Sequence, residues 1–94
     1  SKEEIGAEKV RAILTRNKAR DVYDLYFLID AGVEIDKELV NKKLEYYKKK
    51  FNEKEFVQAV KNKKEIWKSE LAGLVDNIPE FNAVVKRITD AIKA

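Results

Sequence analysis

The residues best suited to chemistry lie in one short stretch, Arg16-Asn17-Lys18-Ala19-Arg20-Asp21-Val22-Tyr23-Asp24-Leu25. Three cations and two carboxylates fall within nine residues, and the apolar run Tyr26-Phe27-Leu28-Ile29 follows directly. Charges this close to apolar sequence are costly unless they pair or bind something. On a helix, Asp21 and Asp24 stand three apart and Arg20 and Asp24 four apart, so each pair shares a face. Lys18 can meet Asp21 across the helix start, and Glu8-Lys9 on a preceding helix can approach the same place. Two chemistries suit such a cluster. Paired carboxylates can hold Mg²⁺. Lysine and arginine can instead hold phosphates while the aspartates orient the cations, and this use is the more natural one for a mixture of both signs. The structural alternative is that Asp21 complements a helix dipole while Arg20–Asp24 is a surface ion pair of little weight. Spacing alone favours that alternative.

The second concentration of charge is the middle of the chain, where residues 37–68 hold eleven lysines against five glutamates. Tyr46 and Tyr47 sit among these lysines, next to Lys48, Lys49 and Lys50. A basic face carrying aromatic rings can follow an RNA backbone. The plainer reading is the solvated face of a lysine-rich protein. Of the other aromatics, Tyr26, Phe27, Phe51, Phe56, Trp67 and Phe81 recur at helical spacing and are expected in the core.

Composition excludes much else. The chain has no cysteine and no histidine, which removes disulfides, thiol chemistry, imidazole metal sites and Ser-His-Asp or Cys-His catalysis. No metal site is assigned from spacing. There is no phosphate-cradling glycine-rich loop and no G-x-S-x-G. No apolar run is long enough to span a membrane, and Ser1-Lys2-Glu3-Glu4 does not read as a signal peptide. The expected location is the cytoplasm. The 39% charged content is typical of hyperthermophile proteins and also occurs in ordinary charged helical domains.

The elements that must position these residues are helical. Apolar spacing of three and four recurs along the chain and strand alternation does not. Helices are predicted over about Glu3–Thr15, Arg20–Ala31, Lys37–Phe51 and Glu53–Trp67. A short fifth helix is predicted from Ser69 through Leu71, Leu74 and Val75, and a last one opens at Pro79. The second is apolar nearly all round and is expected to sit centrally, ending at Gly32. Asp36 and Asn52 are predicted N-caps, with Glu55 completing a capping box at Asn52. The expectation is an all-α fold, a compact bundle of five to six short helices in one domain spanning 1–94, with short connections.

One pattern in these elements is familiar. Ala7-Glu8-Lys9-Val10-Arg11-Ala12-Ile13-Leu14, followed by Arg16-x-Lys18-x-Arg20-Asp21-x-Tyr23-Asp24-Leu25, resembles the C-terminal helical half of the AbiEii-type nucleotidyltransferases, toxins of abortive-infection and toxin–antitoxin systems. The order Phe56…Trp67…Leu71…Leu74…Pro79-x-Phe81 is similar to the tail of that family. The resemblance implies that Lys9 contacts a nucleotide triphosphate. It assigns Lys18, Arg20, Asp21 and Asp24 to a second motif that completes the active site, Lys18 and Arg20 toward nucleotide and the two aspartates in supporting catalytic roles. It also implies Mg²⁺-dependent nucleotidyl transfer from an NTP, a tRNA or other RNA acceptor, and an antitoxin partner. The family's catalytic metal site lies in an N-terminal α/β palm, for which these residues offer no strand pattern. The resemblance therefore implies the helical C-terminal part of a longer enzyme or a stand-alone relative. Either would be inactive without the palm, and the basic 37–68 face would be its RNA contact. The alternative is a non-catalytic helical module that binds RNA or protein through that face.

Overall fold

A computed structural model describes all 94 residues. The chain forms α1 (Lys2–Thr15), α2 (Ala19–Asp30), α3 (Lys37–Glu45), α4 (Glu53–Lys61), a 3₁₀ segment (Asn62–Ile66), α5 (Trp67–Leu71) and α6 (Phe81–Lys93), with no strand. The all-α expectation holds. Four of the six α-helices start where the N-cap side chain satisfies free N–H groups. Ser1 accepts from Glu4 N, Asp36 from Glu38 N and Leu39 N, Asn52 from Glu55 N, and Glu80 from Asn82 N and Ala83 N. Helices α2 and α5 lack a cap from their own N-cap residues, Lys18 and Ile66.

The core is one cluster that draws on every helix. From α1 come Ala7, Val10 and Ile13, and from α2 Val22, Leu25 and Ile29. Phe56, Val60, Trp67 and Leu71 extend one stripe through α4, the 3₁₀ segment and α5, and Phe81, Val84, Ile88 and Ile92 line α6. The Cα radius of gyration is 12.4 Å, the value expected for a folded chain of this length, about 12 Å. These residues thus bury a core of their own.

Several sequence expectations shift. The helix expected to reach Phe51 stops at Glu45. Lys49 N–H reaches back to Leu44 O (3.2 Å) and Lys48 takes φ +54°, a tight αL termination built on a non-glycine residue. Phe51 lies outside the helix, its N–H held by Asn41 Oδ1 at 2.8 Å. The helix expected over Glu53–Trp67 tightens to 3₁₀ at Asn62, and the next α-helix begins at Trp67 rather than Ser69. It ends before Gly73, whose φ of +82° turns the chain and leaves Leu74 63% exposed. Pro79 precedes the last helix, which opens on Glu80 and Phe81. Glu55 does not close a capping box; its carboxylate pairs with Lys49 at 2.6 Å instead.

The central helix is also different. Phe27 is 63% exposed, so α2 has a solvent face, and Phe27 leaves the predicted core. Helix α2 nevertheless packs against α1, α5, α6 and the 3₁₀ segment, as a central helix should, while α1 packs against α2, α3 and α4. Gly6 of α1 is buried against Val33 and Ile35, and a Cβ there would meet Val33 Cγ1 at 3.7 Å, ordinary contact. Gly6→Ala is therefore expected to stabilise the protein by about 0.5–1 kcal/mol through helix propensity, read as a higher urea midpoint with an unchanged m-value.

Candidate functional site

The charged stretch forms a corner where α1 ends and α2 begins. Asp21 falls four residues before Leu25, on the apolar stripe of α2, and is buried to 1% exposure. A carboxylate in that position needs partners. Arg16, in the turn between the helices, supplies a two-pronged one. Its Nε donates to Asp21 Oδ2 at 2.7 Å and its Nη2 to Oδ1 at 2.8 Å. These bonds, with the carboxylate's charge, raise the Arg16 pKa further above its already high ordinary value. Lys9 reaches across from α1 and donates to Asp24 Oδ2 at 2.8 Å, lying 3.9 Å from Asp21 Oδ1. Arg20 also approaches Asp24 Oδ2, at 3.7 Å, and its side chain is largely exposed.

Two distal residues close the corner from behind. Lys63 lies on the same stripe as Phe56, Val60, Trp67 and Leu71 and is 3% exposed. Its Nζ donates to Ile13 O at 3.0 Å, one of the carbonyls left unpaired at the end of α1. A cation there also complements the helix dipole. Burial lowers the Lys63 pKa, opposed by the charge of Asp21, with which it forms no direct ion pair. Glu70 of α5 accepts the Ala19 N–H at 2.8 Å and so caps α2, which Lys18 does not.

The predicted site residues separate accordingly. Lys9, Arg20, Asp21 and Asp24 come together. Lys18 stands at the N-cap of α2, exposed and without an ion pair; the expected contact between Lys18 and Asp21 is absent because Arg16 occupies both carboxylate oxygens. Glu8 turns away to Arg11. Lys48, Lys49 and Lys50 lie on the α3–α4 turn and take no part in the corner. Sequence reasoning missed the partnering roles of Arg16, Lys63 and Glu70. For Lys63 a signal existed, a lysine at a core position of an apolar stripe. For Glu70 there was none in the spacing.

With Asp21 saturated by Arg16 and Asp24 engaged by Lys9, and with no third carboxylate converging on them, these residues do not fit a Mg²⁺ site. They fit a different task, holding cations in place at a surface. The adjoining cleft between Arg20, Tyr23, Asp24, Leu71, Leu74 and Val75 has a volume of about 130 Å³, below the roughly 300–1,000 Å³ of small-molecule pockets. The corner thus offers one wall of a site and does not enclose a ligand. The largest groove, about 720 Å³ between α4 and α6, shares no residue with it.

An all-α fold carrying a Lys9–Asp24 and Arg16–Asp21 corner on its first two helices defines a helical module built to fix cations at a helix junction. The model of the nucleotidyl transferase AbiEii toxin family of type IV toxin–antitoxin systems matches residues 1–87, and the chain belongs to that family. No curated protein and no solved structure gives a significant match. No helix is long and apolar enough to cross a membrane.

Two tests follow from the corner. Asp21→Asn leaves Arg16 and the buried Lys63 without their counter-charge and is expected to cost about 3 kcal/mol, the low end for a buried pair because Arg16 is half exposed, measured by urea denaturation. For Lys63 the folded pKa lies below 10.5, so the unfolded chain binds the extra proton between the two values and stability rises with pH across that window. The wild type should gain Tm relative to Lys63→Met as pH rises from neutral toward 10.5; a constant difference would mean that Lys63 titrates normally.

Proposed function

We propose that this chain is the nucleotide-positioning helical part of an AbiEii-type nucleotidyltransferase, working with a catalytic palm that supplies the metal-binding acids. The observation that carries this reading is the Lys9–Asp24 contact at 2.8 Å. It joins the two halves of the family-like motif, residues fifteen apart in sequence, at one half-buried edge. The ammonium of Lys9 has three N–H donors and spends one on Asp24, so the carboxylate aims it while leaving donors for a phosphate. Lys18, with no partner, and Arg20, held only loosely, flank it. Asp21 acts through Arg16 and the helix start, keeping α2 in register with α1. Glu70 already occupies the anion position at the start of α2, so phosphate contact falls to these side chains rather than to backbone N–H groups.

In this reading the substrate is an NTP whose triphosphate charge is offset by Lys9, Lys18 and Arg20, and Mg²⁺ belongs to the palm. Asp21 and Asp24 are positioning residues. A tRNA or other RNA acceptor, an antitoxin partner and a cytoplasmic location belong to the same reading, by family analogy.

Isotope-labelled protein titrated with GTP, ATP, CTP and UTP in Mg²⁺ should show perturbations at Lys9, Lys18 and Asp21. Lys9→Ala should weaken binding by about tenfold, the worth of a charge-assisted hydrogen bond. Lys18→Ala should weaken it without changing Tm, because Lys18 supports nothing in the fold. No perturbation at these residues in protein that includes the palm would refute the proposal.

A further inference from the structure

The most exposed aromatic ring in the protein is Tyr46, at 86%. It stands at the end of α3 and takes part in none of the corner's ion pairs. Its ring meets Tyr47 edge to face, with centroids 5.2 Å apart and planes at 79°. Tyr47 is in turn fixed to α1, its hydroxyl accepting from Arg11 Nη1 at 3.1 Å with the guanidinium 5.5 Å from its ring centre. The chain then passes through Lys48 at φ +54°, a left-handed conformation that glycine or asparagine adopts more readily. This left-handed residue turns the chain sharply after Tyr46 and Tyr47 and leaves the Lys48 side chain exposed.

The three lysines of the turn are not equivalent. Lys49 is bound to Glu55 at 2.6 Å. Lys48 and Lys50 are exposed and have no carboxylate within ion-pair distance. With Asn41, Glu45 and Lys49 they line a cleft of about 480 Å³ that contains no apolar side chain. A docking protein helix needs apolar anchors, and this cleft provides none. A strand with flat bases and a charged backbone needs an open aromatic face beside free cations, and both are here.

We propose that the α3–α4 turn is a binding site for a single-stranded polynucleotide, with an unpaired base stacked on Tyr46 and the flanking phosphates on Lys48 and Lys50. The site shares no residue with the corner, and it does not depend on the nucleotide-positioning role. It is sequence-tolerant, because stacking uses the face of any base, and it disfavours duplexes, whose bases are not free to stack. RNA and DNA share the required chemistry.

The test is fluorescence anisotropy on the whole chain, without NTP. The probes are a short single-stranded oligoribonucleotide, its deoxy counterpart and the corresponding duplex. Binding of either single strand in preference to the duplex is expected, and the tighter of the two names the natural strand. Tyr46→Ala should weaken binding by about tenfold and Tyr46→Phe should restore most of it. Two phosphate contacts predict a slope of log affinity against log salt near about −1.4. Lys48→Gly is the discriminating variant, since it should raise Tm by relieving the left-handed backbone while weakening binding severalfold. Lys49→Ala should have little effect on affinity. The proposal is overturned if Tyr46→Ala and Lys48→Gly bind like wild type, or if the duplex binds as well as the single strand. It is also overturned if a polyglutamate peptide binds with the same dependence on Tyr46, which would mark the turn as a protein contact. Lys9→Ala leaves this binding unchanged, so failure here and failure of the nucleotide-positioning role are separable.

Discussion

The structure turns on two charges of opposite sign placed where apolar side chains are expected. Asp21 occupies the core stripe of α2, and Lys63 occupies the stripe that runs from Phe56 to Leu71. Neither would be tolerated alone at that depth. Asp21 is compensated from the solvent side by the Arg16 fork and by Lys9, and electrostatically from within by Lys63. Lys63 is further held by the last turn of α1. This arrangement fixes α1, α2 and the α4–α5 stretch at one point. The direction of Arg16 follows from it, while Asp24 directs Lys9.

Buried ion pairs seldom add net stability over apolar replacements. Their value here is geometric. Lys9 is a flexible side chain that would sweep a wide volume if free, and Asp24 confines it. Arg16 is the inverse case, with a turn residue tied to a buried carboxylate. Order is thereby carried from the core out to a surface where a charged ligand would otherwise find disordered side chains. The acids of the cluster are better understood as holders of lysine and arginine than as ligands for a metal.

Much of the fold was legible because period and caps acted together. Asp36 and Asn52 started helices where expected, and the apolar spacing of α1, α4 and α6 marked their buried faces. What was not legible has specific causes. The end of α3 at Glu45 depends on Lys48 accepting a left-handed backbone, which composition argues against. The solvent face of α2 around Phe27 could not be seen because a helix apolar on every side does not reveal which side is covered. Glu55 was drawn away from Asn52 by Lys49, a competition that a local capping rule omits. At the corner, Asp21, Asp24, Arg20 and Lys9 converge as spacing allowed. Arg16 displaced Lys18 as the partner of Asp21 because only a guanidinium can engage both oxygens at once. Lys63 and Glu70 were invisible to local reading, since each acts on a residue about half the chain away.

That last feature bears on how the protein comes to its active shape. The end of α1 and the start of α2 are neighbours in sequence, yet the groups that finish them arrive from fifty and fifty-one residues downstream. The first two helices can pair early as a local hairpin, but they do so with a frayed junction. The corner acquires its final geometry only when the α4–α5 stretch closes over it, a step governed by long-range loop closure. A chain released before that closure can already pair Lys9 with Asp24 and Arg16 with Asp21, but it lacks the Lys63 and Glu70 contacts that finish the two helix ends. Completion of the fold and completion of this junction are the same event.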